Sequence, residues 1–378
     1  MRAFRQTVTC SLTVAMLLAL LPSVAAAAAG TEASVPVVVT DERGEPLAGA
    51  RVIASPAWSS EKASRAHGGR RKSRTIATDR TGRGVVNVRL TRDERESVRD
   101  NNGWLNLTLV VLDSAGHPAS IVATTRYLGR DADQLRQARR QDNQGEIRMK
   151  RPRAFAAQGT AVTAAYVSCT YYWEDYSYPL AYTQIGELHR HRDTTTAKFT
   201  YGETADSNIE VGASWNSEAS WSISGAFHVG NSLGNSVAAN ATSDNYHWAL
   251  RSQFRYGKSR LYKDCLGGPN HVWTGSSEIG VMEWTGGGMT LANTLTQPTR
   301  NSAYSQNYGK GTEFHRTTKT LTKWAASVSI SGATLGAQSG ASTEVRIDYV
   351  FGSRYVTHYL YGNDGLPSVS SRVFQLTP

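Results

Sequence analysis

Between Tyr166 and Tyr182 the chain packs Tyr166, Tyr171, Tyr172, Trp173, Tyr176, Tyr178 and Tyr182. An aromatic ring covers the apolar face of a pyranose, so Tyr171, Tyr172, Trp173, Tyr176 and Tyr178 are candidate ligand-binding residues for a glycan. The same rings also serve as ordinary cross-strand pairs in a β protein. A second candidate lies upstream. The loop from Ser59 to Arg74 holds Lys62, Arg65, Arg70, Arg71, Lys72 and Arg74 against one acid, Glu61. Clustered cations attract anions and release counterions. Arg70, Arg71, Lys72 and Arg74 could therefore bind phosphate, an anionic cell-wall polymer or an acidic membrane surface. The plainer reading is a solvated, protease-sensitive insertion. Nucleic acid fits poorly, because no base-stacking aromatics interleave with these cations.

Glu187, His189 and His191 occupy alternate positions, so a strand would turn all three to one side, as zinc ligands can be. Arg190 and Arg192 beside them disfavour a cation, and no metal is expected. The chain has no His-Glu-x-x-His, no Gly-x-Ser-x-Gly elbow and no phosphate-cradling loop ending in Lys-Ser/Thr. Gly309-Lys-Gly-Thr312 reads as a turn. Glu174 and Asp175 are the adjacent acids a hydrolase could draw on. No catalytic residue and no cofactor follow from these patterns.

The amino terminus sets the compartment. Arg2 and Arg5 precede an apolar core, Leu12 to Leu21, and the small residues Ala25 to Ala29. This is a cleaved secretory signal over residues 1–29, and its apolar run is too short to span a bilayer. The mature chain is expected to be secreted or extracellular. Its two remaining cysteines, Cys169 and Cys265, are expected to form one disulfide in an oxidising compartment.

Composition shifts near residue 150. Of the 17 tyrosines 16 lie beyond Lys150, whereas residues 30–150 carry 21 Lys and Arg against 15 Asp and Glu. The basic character of the chain, +10 overall, thus belongs mostly to its first part. The expected organisation is a β-sandwich at 30–150 that includes the basic loop 59–74, a linker at 151–165, and a tyrosine-rich antiparallel β domain at 166–378.

In the first part, Val35 to Thr40, Val52 to Ser55, Val85 to Leu90, Trp104 to Asp113 and Ser120 to Thr125 read as strands between Asp/Gly/Pro turns. Thr91-Arg-Asp-Glu94 is a capping box that opens a short helix, and Asp131 to Gln141 reads as a solvated helix. Val39-Thr-Asp41, Gly44, Pro46-Leu47, Gly49-Ala50, Val52, Thr78-Asp79 and Gly82 resemble the carboxypeptidase regulatory-like, or transthyretin-like, domains over residues 35–125. The resemblance implies a seven-stranded prealbumin-type sandwich that serves as a structural appendage or adhesion spacer. The Tyr-Arg-Gly-Ser ending of transthyretin-like hydrolases is missing from this sequence, which argues against that activity.

In the second part, Ile209 to Val229 alternates between apolar residues such as Val211, Trp215, Trp221 and Phe227 and small polar ones, as a two-faced strand does. Tyr246 to Tyr256 alternates in the same way. The two are expected to pair as a hairpin, with Arg251 and Arg255 facing Glu210 or Glu218. Val328-Ser-Ile-Ser-Gly-Ala333 repeats Trp221-Ser-Ile-Ser-Gly-Ala226. Phe199-Thr-Tyr-Gly202 and His228-Val-Gly-Asn231 resemble segments of exported bacterial proteins without assigned activity. The fold class is mainly β: a prealbumin-like sandwich followed by an elongated antiparallel domain with long amphipathic strands.

These features favour a secreted, non-enzymatic binding or structural protein whose partner is a cell-wall polymer, glycan or anionic surface. The alternatives are a β-hairpin protein that inserts into membranes, because Ile209–Val229 is about twice the ~9–11 residues a spanning strand needs, and an extracellular polymer hydrolase.

Overall fold

The computed structural model describes residues 32–101, 103–113, 116–129, 147–150, 169–190, 195–201, 208–215, 221–222, 224–228, 247–285, 290–318, 328–330, 333–339, 343–370 and 372–376. The expected signal at 1–29, the expected helix at 131–141, the expected linker at 151–165 and His191 lie outside the described residues. Strands predominate, and nearly all of their ladders are antiparallel.

In the first part, Glu32–Thr40 sits between Arg83–Arg89 and a parallel partner, Ile147–Lys150. A second sheet runs in the order Arg74–Ala77, Arg51–Pro56, Trp104–Leu112, Pro118–Tyr127. Val35, Val37 and Val39 from the first sheet meet Val52, Ala54, Leu105, Leu107 and Leu109 from the second in one core. The turns are built as the sequence reads. Asp41 Oδ1 accepts hydrogen bonds from the Arg43 and Glu45 amides, and Asp79 Oδ1 from those of Thr81 and Arg83. Thr91 and Glu94 cap the helix Arg92–Asp100 reciprocally.

The strand Trp104–Leu112 is buried at every position. A strand with one wet face alternates, whereas one covered on both sides reads as a near-continuous apolar run, which Trp-Leu-Asn-Leu-Thr-Leu-Val-Val-Leu is. Its Val110 and Leu112, with Ile53, turn away from the sandwich core to pack on Tyr171, Trp173 and Leu261. The two parts of the chain therefore share a core.

The basic segment completes that junction and corrects the expectation of a solvated insertion. Ser60 caps a short helix, Glu61–Ala66, and Arg70–Lys72 then adds as a strand to Cys169–Ser177. Gly69 makes the approach possible. It has φ +75°, and a Cβ there would stand 2.5 Å from the Asp175 carbonyl oxygen.

His247–Cys265 is the spine of the second part. Leu180–His189 and then Cys169–Ser177 pair along one edge, and Thr290–Thr294 and then Val272–Trp284 along the other. Burial along this strand changes phase at Gly257. Trp248, Leu250, Phe254 and Tyr256 are buried before it, and Ser259 and Leu261 after it. Leu250, Phe254 and Tyr256 join a core with Ile185, Phe199, Ile347 and Tyr349, while Leu261 faces the first part of the chain. The strand thus gives one face to each neighbour in turn, and Lys258, Arg260, Tyr262 and Asp264 are left pointing outward.

Two expectations for this part are overturned. Ile209–Val229 is not one strand: it divides into Asn208–Trp215, Trp221–Ser222 and Ser224–His228. Asn208–Trp215 pairs with Ser224–His228 and Ala333–Ser339 rather than with 246–256, because both edges of 247–256 are already taken. Arg255 meets Glu61 at 2.6 Å and Glu283 at 2.7 Å, and Glu218 lies outside the described residues. The two copies of the internal repeat are not placed alike: Trp221–Ser222 pairs with Val272–Trp284, whereas Val328–Ile330 joins the sheet that holds Ser224–His228 and Asn208–Trp215.

Candidate ligand-binding face

Alternation on Cys169–Ser177 sorts the aromatic block into two environments. Tyr171, Trp173 and Asp175 point into the junction, whereas Tyr172, Glu174 and Tyr176 point away from it. Glu174 and Asp175 therefore lie on opposite faces of the sheet and cannot act as a catalytic pair on one substrate.

On the inner side, Arg71 forms a buried ionic seam. Its side chain is 4% exposed, with Nε 3.3 Å from Asp175 Oδ1. Nη2 donates to Glu278 and, at 2.8 Å, to Ser259 Oγ. Ser64 Oγ and Ser259 Oγ donate to the two Asp175 oxygens at 2.6 and 2.5 Å, and Thr108 Oγ1 donates to Glu278 Oε2 at 2.7 Å. Burial opposes the guanidinium charge, but Glu278 and Asp175 outweigh it and raise the Arg71 pKa. The adjoining cavity, bounded by Trp58, Arg71, Asn106 and Met282, measures about 20 Å³, room for about one water molecule. Arg71 is thus consumed by two internal carboxylates and is not an anion receptor. Arg74 is engaged as well, 2.8 Å from Glu94.

Around His189 the structure makes a second polar cluster. Burial opposes the Glu187 charge, but His189 and Arg372 more than compensate and hold its carboxyl below the usual carboxylate range. Arg372 grips Glu187 with both Nε and Nη2, so this carboxylate does not serve as a metal ligand. No group of three metal-ligating side chains occurs among the described residues. His189 Nδ1 lies 3.1 Å from His247 Nδ1, and burial and then this neighbour push the His247 imidazole down to about 4. Unfolded, the same ring titrates near about 6.5. Because the unfolded chain takes up the proton first, stability contributed at this position is present above pH ~6.5 and is lost as pH falls towards about 4. A urea-midpoint profile of His247→Gln should be flatter than wild type across that window.

The outward side carries the exposed groups. Tyr176 and Trp273 retain 43% and 49% of their surface. The Arg260 guanidinium carbon lies 4.7 Å from the Tyr176 ring centroid and 5.2 Å from that of Trp273, and Lys258 lies 5.4 Å over Tyr176. Beside them runs a second stack. Tyr262 and His271 rings are 4.2 Å apart and nearly parallel, and Arg70 covers Tyr172 at 5.0 Å. Asp264 fixes this stack by accepting from the Tyr172 hydroxyl at 3.2 Å and from the His271 amide at 2.6 Å. His271 is held at φ +56°, unlike any other non-glycine described residue. The Asp264 carboxylate, bonded to the His271 amide, holds this residue in that sparsely populated region.

Of the five candidate aromatics, the structure leaves Tyr176 on the surface. Tyr172 is largely covered by its stack, and the Tyr178 hydroxyl meets Ser64 beneath Arg65. Tyr171 donates to the Gly116 carbonyl at 2.9 Å, and Trp173 is fully buried. Arg70 pairs with Glu174 at 3.5 Å and Lys72 is exposed beside it. Cys169 and Cys265 form the disulfide that ties the ends of the two central strands. Arg260 and Trp273 were not singled out in the sequence. The available signal is the alternation Lys258, Arg260, Tyr262, Asp264 against Ser259 and Leu261. No protein-family model matches this chain, and no curated protein is similar to it.

Proposed function

We propose that this protein is an exported, non-enzymatic binding protein that docks a carbohydrate polymer of a cell wall or extracellular surface on the outward side of its central sheet. The observation that carries this reading is the pair of half-exposed rings, Tyr176 and Trp273, flanking Arg260 on a disulfide-tied sheet. Aromatic and arginine side chains are the anchors that dominate binding energy. The secretory features of residues 1–29 and the disulfide favour an extracellular setting. No described helix is long and apolar enough to cross a membrane. The first part of the chain, with its three- and four-stranded sheets, braces the binding sheet from behind, as a transthyretin-like spacer would.

Isothermal titration against soluble wall and extracellular polysaccharides tests the reading. Tyr176→Ala with Trp273→Ala should weaken binding by about tenfold or more while leaving the melting temperature unchanged, since both rings lie at the surface. Failure of the wild-type protein to bind any of these polymers would sink it.

A further inference from the structure

We infer that the ligand is an acidic saccharide whose carboxylate is gripped by Arg260. This rests on the binding reading above and names the chemistry of its ligand. Arg260 faces Glu174 across the strand pair, yet Glu174 turns to Arg70 at 3.5 Å. No ion-pair partner of Arg260 occurs among the described residues. The other acid on this face, Asp264, is occupied by the Tyr172 hydroxyl and the His271 amide. Lys72 is exposed on the same side. The face therefore pairs its own acids internally and presents Arg260 to solvent.

Arg260 is also held beside both rings, its guanidinium carbon 4.7 Å from the Tyr176 centroid and 5.2 Å from that of Trp273. The N–H edge of a guanidinium has a fork geometry that matches a carboxylate with two parallel hydrogen bonds. A sugar ring on Tyr176 or Trp273 would bring a ring-borne carboxylate to that edge. A neutral glycan has no use for a cation there, and a bare anion has none for the exposed rings. A saccharide bearing a carboxylate uses both.

The test measures binding of the purified full chain to polygalacturonate and to hyaluronate, each beside its carboxyl-reduced counterpart with the same sugar backbone. At least one acidic polymer should bind about 10- to 100-fold tighter than its reduced form, the range for a hydrogen-bonded charged contact. Arg260→Lys, which keeps the charge but not the fork, should lose about the same factor with an unchanged melting temperature. Equal affinity for acidic and reduced forms, or wild-type affinity in Arg260→Lys and Arg260→Ala, overturns the inference while leaving carbohydrate binding intact. Equal binding of dextran sulfate overturns it in favour of unselective polyanion attraction. Absence of binding to all of these polymers defeats both the inference and the reading beneath it.

Discussion

Arg71→Met should destabilise the protein by about 3–5 kcal/mol, the cost of removing one partner from a buried ion pair. The side chains of Asp175 and Glu278 are 2% and 5% exposed. Without Arg71 two carboxylates remain in the junction with only the Ser64, Ser259 and Thr108 hydroxyls as donors. The loss comes from the uncompensated charges rather than from the absent contact. Adding Asp175→Asn and Glu278→Gln to Arg71→Met should therefore restore much of the stability. Urea unfolding of the wild type, the single variant and the triple variant measures this, with the m-value confirming that the unfolded state is comparable. An Arg71→Met variant within about 1 kcal/mol of wild type, the range of an exposed pair, would show that the seam is wet.

Removing the disulfide by Cys169→Ala with Cys265→Ala should cost about 4–5 kcal/mol, because the link closes a loop with a sequence separation of 96. The unfolded chain gains most of that freedom, while the folded strands keep the Cys169–Cys265 register through their neighbours Thr170 with Asp264 and Tyr171 with Lys263. Unfolding of the wild-type protein with and without reductant should reproduce the difference. Coinciding curves would contradict it. Because Arg71 and the disulfide hold the same pair of strands, the two losses should not add fully.

The strands and caps were legible because their causes are local. The Val35, Val37, Val39 alternation, the Asp41 and Asp79 turns and the Thr91–Glu94 box each depend on a few adjacent residues. The disulfide was legible for a different reason: only two cysteines lie past residue 29. Arg71 was not legible. It sits in a segment so rich in cations that solvent is the natural reading, and Glu278, which neutralises it, is 207 residues away. Arg260 was hidden by the phase change at Gly257, which ends the apolar series Trp248 to Tyr256 and passes burial to odd positions. Trp273 lies in a loop-like Gly, Ser and Thr context that carries no periodicity of its own. In 209–229 the two-faced pattern was visible, but its pairing depended on which edges of 247–265 were already occupied, and no pattern within either stretch encodes that.

Hydroxyl-radical footprinting of the protein with a saturating bound polysaccharide tests the proposed docking face most directly, because it reads individual aromatic side chains. Tyr182, at 50% exposure, is an internal control next to Tyr176 at 43% and Trp273 at 49%. Ligand should suppress oxidation of Tyr176 and Trp273 and leave Tyr182 unchanged. Undiminished oxidation of Tyr176 and Trp273 at saturation, with protection at Tyr182 instead, would place the ligand elsewhere on the molecule.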